Sequence, residues 1–265
     1  MNEYELCGKV FVYDTNCDLK AYSNLVESNV NIVYIGGLGA NMTVDMFTVS
    51  LEKHCTNNGY RLIIPQLRSH PHFGLFTIDD DAQDLNELLM KIESDVVLVG
   101  NSTGCQDILH YLKVFGNSSV KLAVLQGAVS DVEYEEHIMN DLDKYIVQVR
   151  DMSSDAIIKY RGMYIKVQRF MDLFCRYGKE DMFSSYLPDD FFMNLNVTNT
   201  RVLFVVSGND EYGVCDILPK LKLVGNSSTV CIPEGTHILC TDRDISLFLG
   251  HLDKEITRTL NTESV

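Results

Sequence analysis

Seven short apolar runs, each rich in valine and isoleucine, constrain the fold of this chain more than any other feature. Each run is apolar without alternation, which is typical of strands that are covered on both faces in a parallel sheet. Between or after the runs lie amphipathic stretches of helical length. Strands that alternate with helices predict an α/β fold, with a mostly parallel sheet and helices on both faces. The apolar runs occupy 10–13, 32–35, 62–64, 96–99, 122–125, 202–206 and 229–232, and the amphipathic stretches occupy 42–54, 79–92, 105–115 and 242–252.

This alternation is interrupted once, between 131 and 199. The pattern there predicts helices over 133–149 and 154–175, followed by a loop through Asp189 and Asp190. We therefore expect a single domain spanning 1–265, in which 131–199 is a mostly helical cap inserted between two core strands.

The composition excludes some classes of partner. The chain has 265 residues and a formal net charge of −15, and such a surface repels nucleic acid and anionic membranes. The first residues do not follow the basic-then-apolar pattern of a secretory signal. The eight cysteines form no CxxC pair, which predicts reduced, mostly buried thiols in a cytoplasmic protein.

The segment from Val96 to Gly104 carries the strongest chemical signal. It places the pattern G-x-S-x-G, here GNSTG at 100–104, directly after a strand and directly before a helix. In this context the central serine, Ser102, lies on a tight turn that exposes its hydroxyl above the sheet, and small residues at Gly100 and Gly104 relieve crowding of the backbone. The pattern predicts that Ser102 is the nucleophile of an α/β-hydrolase fold.

A serine nucleophile needs a base, and the base needs an orienting acid. In this fold the order along the chain is serine, acid, histidine, with each residue following a strand. Asp210 follows the run at 202–206, and His237 follows the run at 229–232. We predict Asp210 as the acid, with Glu211 as the alternative, and His237 as the base.

The glycine-rich stretch YIGGLGA (34–40) follows the run at 32–35. Its small residues allow backbone N–H groups to face the nucleophile, so we predict an oxyanion hole made by the N–H groups of Leu38 and Thr103. The rival interpretation is a phosphate-binding loop, but the stretch lacks the lysine and spacing of one. His70 and His72 could hold a metal, although an exposed loop is the simpler interpretation. We expect no metal and no cofactor.

These motifs resemble a largely fungal family of α/β-hydrolases, long without an assigned function, whose named members include esterases of fusarinine-type siderophores. Relatives usually have histidine where this chain has Asn101, and arginine where it has Val132. The resemblance implies the same fold and the same roles for Ser102, Asp210 and His237. The matching stretches are YIGGLGA (34–40), IPQLRSH (64–70), GNSTGCQDILHYL (100–112), LQGAVSDVEYE (125–135), EDMFSSYLPDDFF (180–192) and SGNDEYG (207–213).

The sequence thus predicts a serine hydrolase that cleaves a carboxylic ester of a small molecule, with a siderophore-like ester as one candidate. Thioesters and amides are the less favoured substrates. The alternative class is a binding or scaffold protein that keeps the α/β-hydrolase fold without catalysis.

Overall fold

We describe residues 5–42, 46–196, 198 and 200–261 of a computed structural model, and these residues form ten strands and nine α-helices. The strands are β1 (Gly8–Asp14), β2 (Leu19–Asn24), β3 (Val30–Ile35), β4 (Arg61–Pro65), β5 (Asp95–Asn101), β6 (Val120–Gln126), β7 (Ile157–Tyr160), β8 (Met163–Lys166), β9 (Arg201–Ser207) and β10 (Ser227–Ile232). The helices are α1 (Met46–Asn58), α2 (Ile78–Leu89), α3 (Thr103–Val114), α4 (Asp131–Ile138), α5 (Leu142–Arg150), α6 (Val167–Phe174), α7 (Asp189–Met193), α8 (Leu218–Leu221) and α9 (Asp242–Asn261).

Eight of these strands form one twisted sheet in the order β1-β2-β4-β3-β5-β6-β9-β10. Every neighbouring pair from β4 to β10 is parallel, whereas β2 runs antiparallel to both β1 and β4. All seven apolar runs overlap strands of this sheet, which confirms the predicted α/β class. The sequence missed β2, because its residues LKAYSN mix polar and apolar types although most of them are buried.

Helices cover both faces of the sheet, as the continuous apolar strands predicted. Val97 and Val99 of β5 pack with α1 and α9, whereas Val96 and Leu98 of the same strand pack with α2 and α3. Alternate side chains of one strand therefore enter two separate cores. The predicted helix over 42–54 is observed as α1 from Met46 onward, and 43–45 lie outside the described residues.

The segment between β6 and β9 contains its own small core, as an insertion would, but it is less helical than the sequence predicted. The predicted helix over 154–175 is wrong, because its first half forms the antiparallel hairpin of β7 and β8. Arg161 and Gly162 connect these strands with φ of 47° and 84°, the geometry of a two-residue hairpin turn. The helix predicted over 133–149 is divided into α4 and α5, and Asp189 and Asp190 begin α7 rather than lying in a loop.

An ion pair that is almost fully buried joins this insertion to the body of the protein. Arg169 of α6 lies 3.5 Å from a carboxylate oxygen of Asp81 on α2 and 3.2 Å from one of Glu180, and each side chain is at most 2% exposed. Burial raises the pKa of Asp81 to about 6 and that of Glu180 to about 8. One guanidinium group is therefore the ion-pair partner of two buried carboxyl groups. Removing this cation should strongly destabilise the folded protein.

Candidate active site

Ser102 lies at the sharp turn between β5 and α3. Its backbone has φ 56° and ψ −126°, a conformation that costs a non-glycine residue about 1–3 kcal/mol and is found mainly at functional sites. A Cβ at Gly100 would lie 2.6 Å from the Gly104 carbonyl oxygen, and a Cβ at Gly104 would lie 2.3 Å from that of Ile35. The two glycines that the sequence singled out are therefore required by close packing of the backbone.

The glycine-rich stretch after β3 runs beside this turn. A Cβ added at Gly37 would lie 2.7 Å from Cβ and 3.2 Å from Oγ of Ser102, so the backbone at Gly37 passes directly over the serine side chain. Leu38 follows it and packs against the core of the insertion, and Thr103 is the buried first residue of α3. Thr103 thus follows Ser102 in the chain, and Leu38 follows Gly37, whose backbone lies against the serine side chain. The oxyanion role of their N–H groups stays a prediction.

His237 lies in the loop between β10 and α9, and its ring faces Asp210 in the loop after β9. Nδ1 of His237 lies 2.9 Å and 3.0 Å from the two carboxylate oxygens of Asp210. Their side chains are 7% and 6% exposed, respectively. Oδ1 of Asp210 also accepts the backbone N–H of Tyr212. A carboxylate held in this way fixes Nδ1 as the protonated nitrogen of a neutral ring and leaves Nε2 free to accept a proton.

Glu211, the alternative acid, makes a different contact. Its Oε2 accepts the backbone N–H of His237 at 2.9 Å. The two adjacent carboxylates therefore divide their contacts with the histidine, since Asp210 binds the ring and Glu211 binds the main chain. The ring of Tyr212 packs against the imidazole with 4.5 Å between the ring centroids.

Ser102 and His237 open into the same cavity, whose volume is about 390 Å³. The glycine-rich stretch forms one wall, and Asn101, Asp131 and Tyr212 contribute to the others. The side chain of Gln106 donates to Asp131, and burial raises the pKa of this carboxyl group to about 6. The cavity therefore brings a hydroxyl, an imidazole and a carboxyl group to one site.

His70 also lines this cavity, which corrects the expectation of an exposed loop at this position. It is 7% exposed, whereas His72 is exposed. Burial, together with the nearby positive charge of Arg169, lowers the pKa of His70 to about 4, so its ring is neutral at neutral pH. Within the described part of the chain, no three His, Cys, Asp or Glu side chains are grouped so that they could hold a metal ion.

The exposure of the cysteines and the apolarity of the helices bear on the predicted cellular compartment. Of the eight cysteines, Cys55, Cys105 and Cys175 are buried and the other five are exposed, so the expectation of mostly buried thiols is wrong. Among the described helices, none combines the length and the apolarity that spanning a bilayer requires.

A serine at a strand-to-helix turn, with a carboxylate and a histidine after two later strands of a mostly parallel sheet, is the arrangement of the α/β-hydrolase fold. The chain belongs to the family described as "Protein of unknown function (DUF1749)", which matches residues 1–231. No curated protein matches the sequence.

Solved structures support the fold assignment. The siderophore hydrolase EstB from Aspergillus fumigatus matches with a TM-score of 0.78 and 18% identity, over 98% of this chain and 100% of that chain. The alpha/beta hydrolase domain-containing protein 10 from mouse matches with a TM-score of 0.67 and 16% identity, over 91% and 94%. A soluble variant of the monoglyceride lipase from Saccharomyces cerevisiae matches with a TM-score of 0.66 and 12% identity, over 97% and 98%. The chain is thus similar in fold to α/β-hydrolases along nearly its whole length.

Proposed function

We propose that this protein is a serine hydrolase that cleaves a carboxylic ester through Ser102, His237 and Asp210. The single observation that carries the proposal is the pairing of His237 Nδ1 with both carboxylate oxygens of Asp210, next to a strained serine that shares the cavity of His237. A merely structural turn does not need a serine in this conformation or a histidine with an oriented ring.

In the proposed reaction, Nε2 of His237 takes the proton of the Ser102 hydroxyl while Oγ attacks the ester carbonyl. The carbonyl oxygen gains negative charge, which the backbone N–H groups of Leu38 and Thr103 stabilise. The imidazolium then donates its proton to the leaving alcohol, and an acyl-serine remains. Water, deprotonated by His237, attacks the acyl group, and the imidazolium returns this proton to Oγ of Ser102 as the acyl–oxygen bond breaks and the acid leaves. Asp210 holds the ring throughout, and this chemistry requires neither a metal nor a cofactor.

The substrate class is inferred from the relatives and from the reaction. A small-molecule ester fits the cavity volume and the proposed chemistry, and the similarity to a siderophore hydrolase makes a siderophore-like ester the first candidate. Thioesters and amides are the second choice. We propose a cytoplasmic location and no nucleic-acid or membrane partner, in keeping with the net charge of −15. The competing proposal is a scaffold that has kept the fold without catalysis.

A fluorophosphonate probe separates the two proposals, because it phosphonylates an activated serine and not an ordinary one. We expect stoichiometric labelling of the wild-type protein and none of Ser102→Ala. Ser94→Ala is the matched control, since Ser94 lies next to the opposite end of β5, where its hydroxyl accepts from Asn31. Equal labelling of Ser102→Ala would refute the nucleophile. An unlabelled wild-type protein that also fails to hydrolyse p-nitrophenyl esters would favour the scaffold.

A second experiment compares the two adjacent acids. Asp210→Asn should lower kcat toward a p-nitrophenyl ester by about 10⁴-fold, the loss seen when the orienting acid of a serine triad is replaced by its amide. Glu211→Gln should cost much less, because the main-chain contact does not set the ring tautomer. If Glu211→Gln causes the larger loss, the two roles are exchanged. A panel of ester chain lengths, a fusarinine-type ester, a thioester and an amide then defines the substrate.

A further inference from the structure

The backbone of His237 needs support that Asp210 does not provide. The histidine lies in a loop, where the main chain is not held by a strand or a helix, and Glu211 holds only its N–H. The carbonyl oxygen of His237 accepts two hydrogen bonds, one from Nδ2 of Asn101 and one from Nε2 of Gln126, both at 3.1 Å. Asn101 is 8% exposed and Gln126 is 3% exposed.

These two amides come from the ends of neighbouring strands. Asn101 ends β5 and Gln126 ends β6, and the two residues are partners in the parallel register. Asn101 directly precedes Ser102, and the main-chain carbonyl of Gln126 accepts the N–H of Ser102 at 3.0 Å. Each amide therefore contacts the histidine through its side chain and is joined to the serine through the backbone.

The orientation of both amides follows from their other contacts. Nδ2 of Asn101 donates its second hydrogen to Oε1 of Gln126, and Nε2 of Gln126 donates its second hydrogen to Oγ of Ser207. All four N–H bonds of the pair are thus used. Rotating the amide of Asn101 by 180° would place its oxygen against the oxygens of Gln126 and His237, which is repulsive.

Gly127 allows this approach. Its φ is 66°, and a Cβ there would lie 3.3 Å from Cε1 and Nδ1 of His237 and 3.4 Å from Nδ2 of Asn101. A side chain at this position would crowd the ring and the amide together. The end of β6 is thus shaped for a histidine that lies close to the strand.

We infer that Asn101 and Gln126 are positioning residues that set the spacing between Ser102 and His237. This inference rests on the proposed serine mechanism. Proton transfer from Oγ to Nε2 depends steeply on their separation, and a displacement of about 1 Å of a catalytic group can cost about 100-fold in rate. The amide pair fixes that separation through two strand ends that belong to the rigid sheet.

The test replaces each amide by its carboxylate isostere, Asn101→Asp and Gln126→Glu, which keeps the shape and removes both donors. We expect kcat toward p-nitrophenyl acetate to fall by about 10- to 100-fold, with KM within about threefold of wild type, because positioning of the base acts on the chemical step. The second-order rate of phosphonylation by a fluorophosphonate should fall in parallel when it is expressed per folded molecule.

The matched control is Asn24→Asp. Asn24 is also a buried amide, 2% exposed, and it donates to Thr56 and Tyr60 at the edge of the sheet away from the site. This variant should lose stability in the same way and keep the phosphonylation rate of its folded fraction. If the carboxylate variants do not fold, Gln126→Met removes the donors at similar length without adding a charge, and the same fall in kcat is expected.

The outcomes separate the two proposals. Wild-type labelling that depends on Ser102, together with variants of Asn101 and Gln126 that keep kcat within about threefold of wild type, would overturn the positioning role alone. Loss of kcat in Asn24→Asp equal to that in Asn101→Asp would also overturn it, because the effect would then belong to any buried amide. Absence of labelling in the wild-type protein would instead refute the serine mechanism itself.

Discussion

Replacing His70 by asparagine tests whether its burial makes the stability of the protein depend on pH. The ring is 7% exposed, and its Nδ1 accepts the backbone N–H of Leu67 at 3.4 Å. The oxygen of an asparagine at this position can accept the same N–H without titrating. The variant therefore removes the ionisation and keeps the local hydrogen bond.

The magnitude follows from the pKa of His70, which is lowered from 6.5 to about 4 in the folded protein. Above pH 6.5 the ring is neutral in both the folded and the unfolded chain, so its contribution to stability is fully present. As the pH falls from 6.5 toward 4, the unfolded chain binds a proton that the folded protein does not, and stability is lost. At about 1.4 kcal/mol per pH unit, the total loss is about 3 kcal/mol, most of it by pH 4.5.

Other buried groups act in the opposite direction. The pKa values of Glu180 and Asp81 are raised by burial, so these groups stabilise the folded protein most at low pH and lose that contribution as the pH rises through their folded pKa values. They are present in both proteins. The difference between His70→Asn and wild type therefore isolates the histidine.

The measurement is the free energy of unfolding in urea, taken at several pH values between 7.5 and 4.5. The difference between His70→Asn and wild type should shift in favour of the variant by about 2.5 kcal/mol across that range. His72→Asn, at the exposed neighbouring histidine, is the control and should show no such trend. A difference that stays constant with pH, or that moves against His70→Asn on acidification, would refute the argument.

Two further substitutions probe the close packing and the buried charge. Gly37→Ala should slow phosphonylation of Ser102 by about 100-fold, because its methyl group would lie 2.7 Å from the serine Cβ. Gly225→Ala, with open space around it, is the control and should react like wild type. Equal rates for both variants would contradict the close approach. Arg169→Met should lower the free energy of unfolding by about 3–5 kcal/mol, since it leaves buried carboxyl groups without their cation. Arg176→Met breaks an exposed ion pair and should cost no more than about 1 kcal/mol, and similar urea midpoints for the two arginine variants would contradict the role of burial.

Local patterns were enough to predict most strands of the sheet and the residues of the candidate site. Continuous apolar runs report burial on both faces, and this depends on neighbouring residues alone. The carboxyl ends of parallel strands meet at one edge of the sheet, so the topology gathers Asp210 and His237 once their strands are recognised. Each of these patterns lies within a few neighbouring residues, so it can be recognised without knowledge of the remaining fold.

The apolar pattern of the sequence predicted the wrong secondary structure where a helix and a hairpin can be formed by similar residues. The stretch 154–175 is apolar often enough to suggest a helix, but Arg161 and Gly162 adopt positive φ and turn the chain back on itself. β2 was missed for the opposite reason, because its mixed residues are buried by their place in the sheet and not by their own apolarity.

What the sequence by itself determined is therefore the α/β class, the positions of most strands along the chain, and the residue types at the turn and loops that form the candidate site. Only the tertiary structure decided which of two adjacent carboxylates meets the imidazole ring, that His70 is buried and neutral, and that Gln126 contacts the carbonyl of His237. The physical reason is distance along the chain. Gln126 and His237 are 111 residues apart, and their contact depends on strand register and loop geometry, which local sequence patterns do not encode.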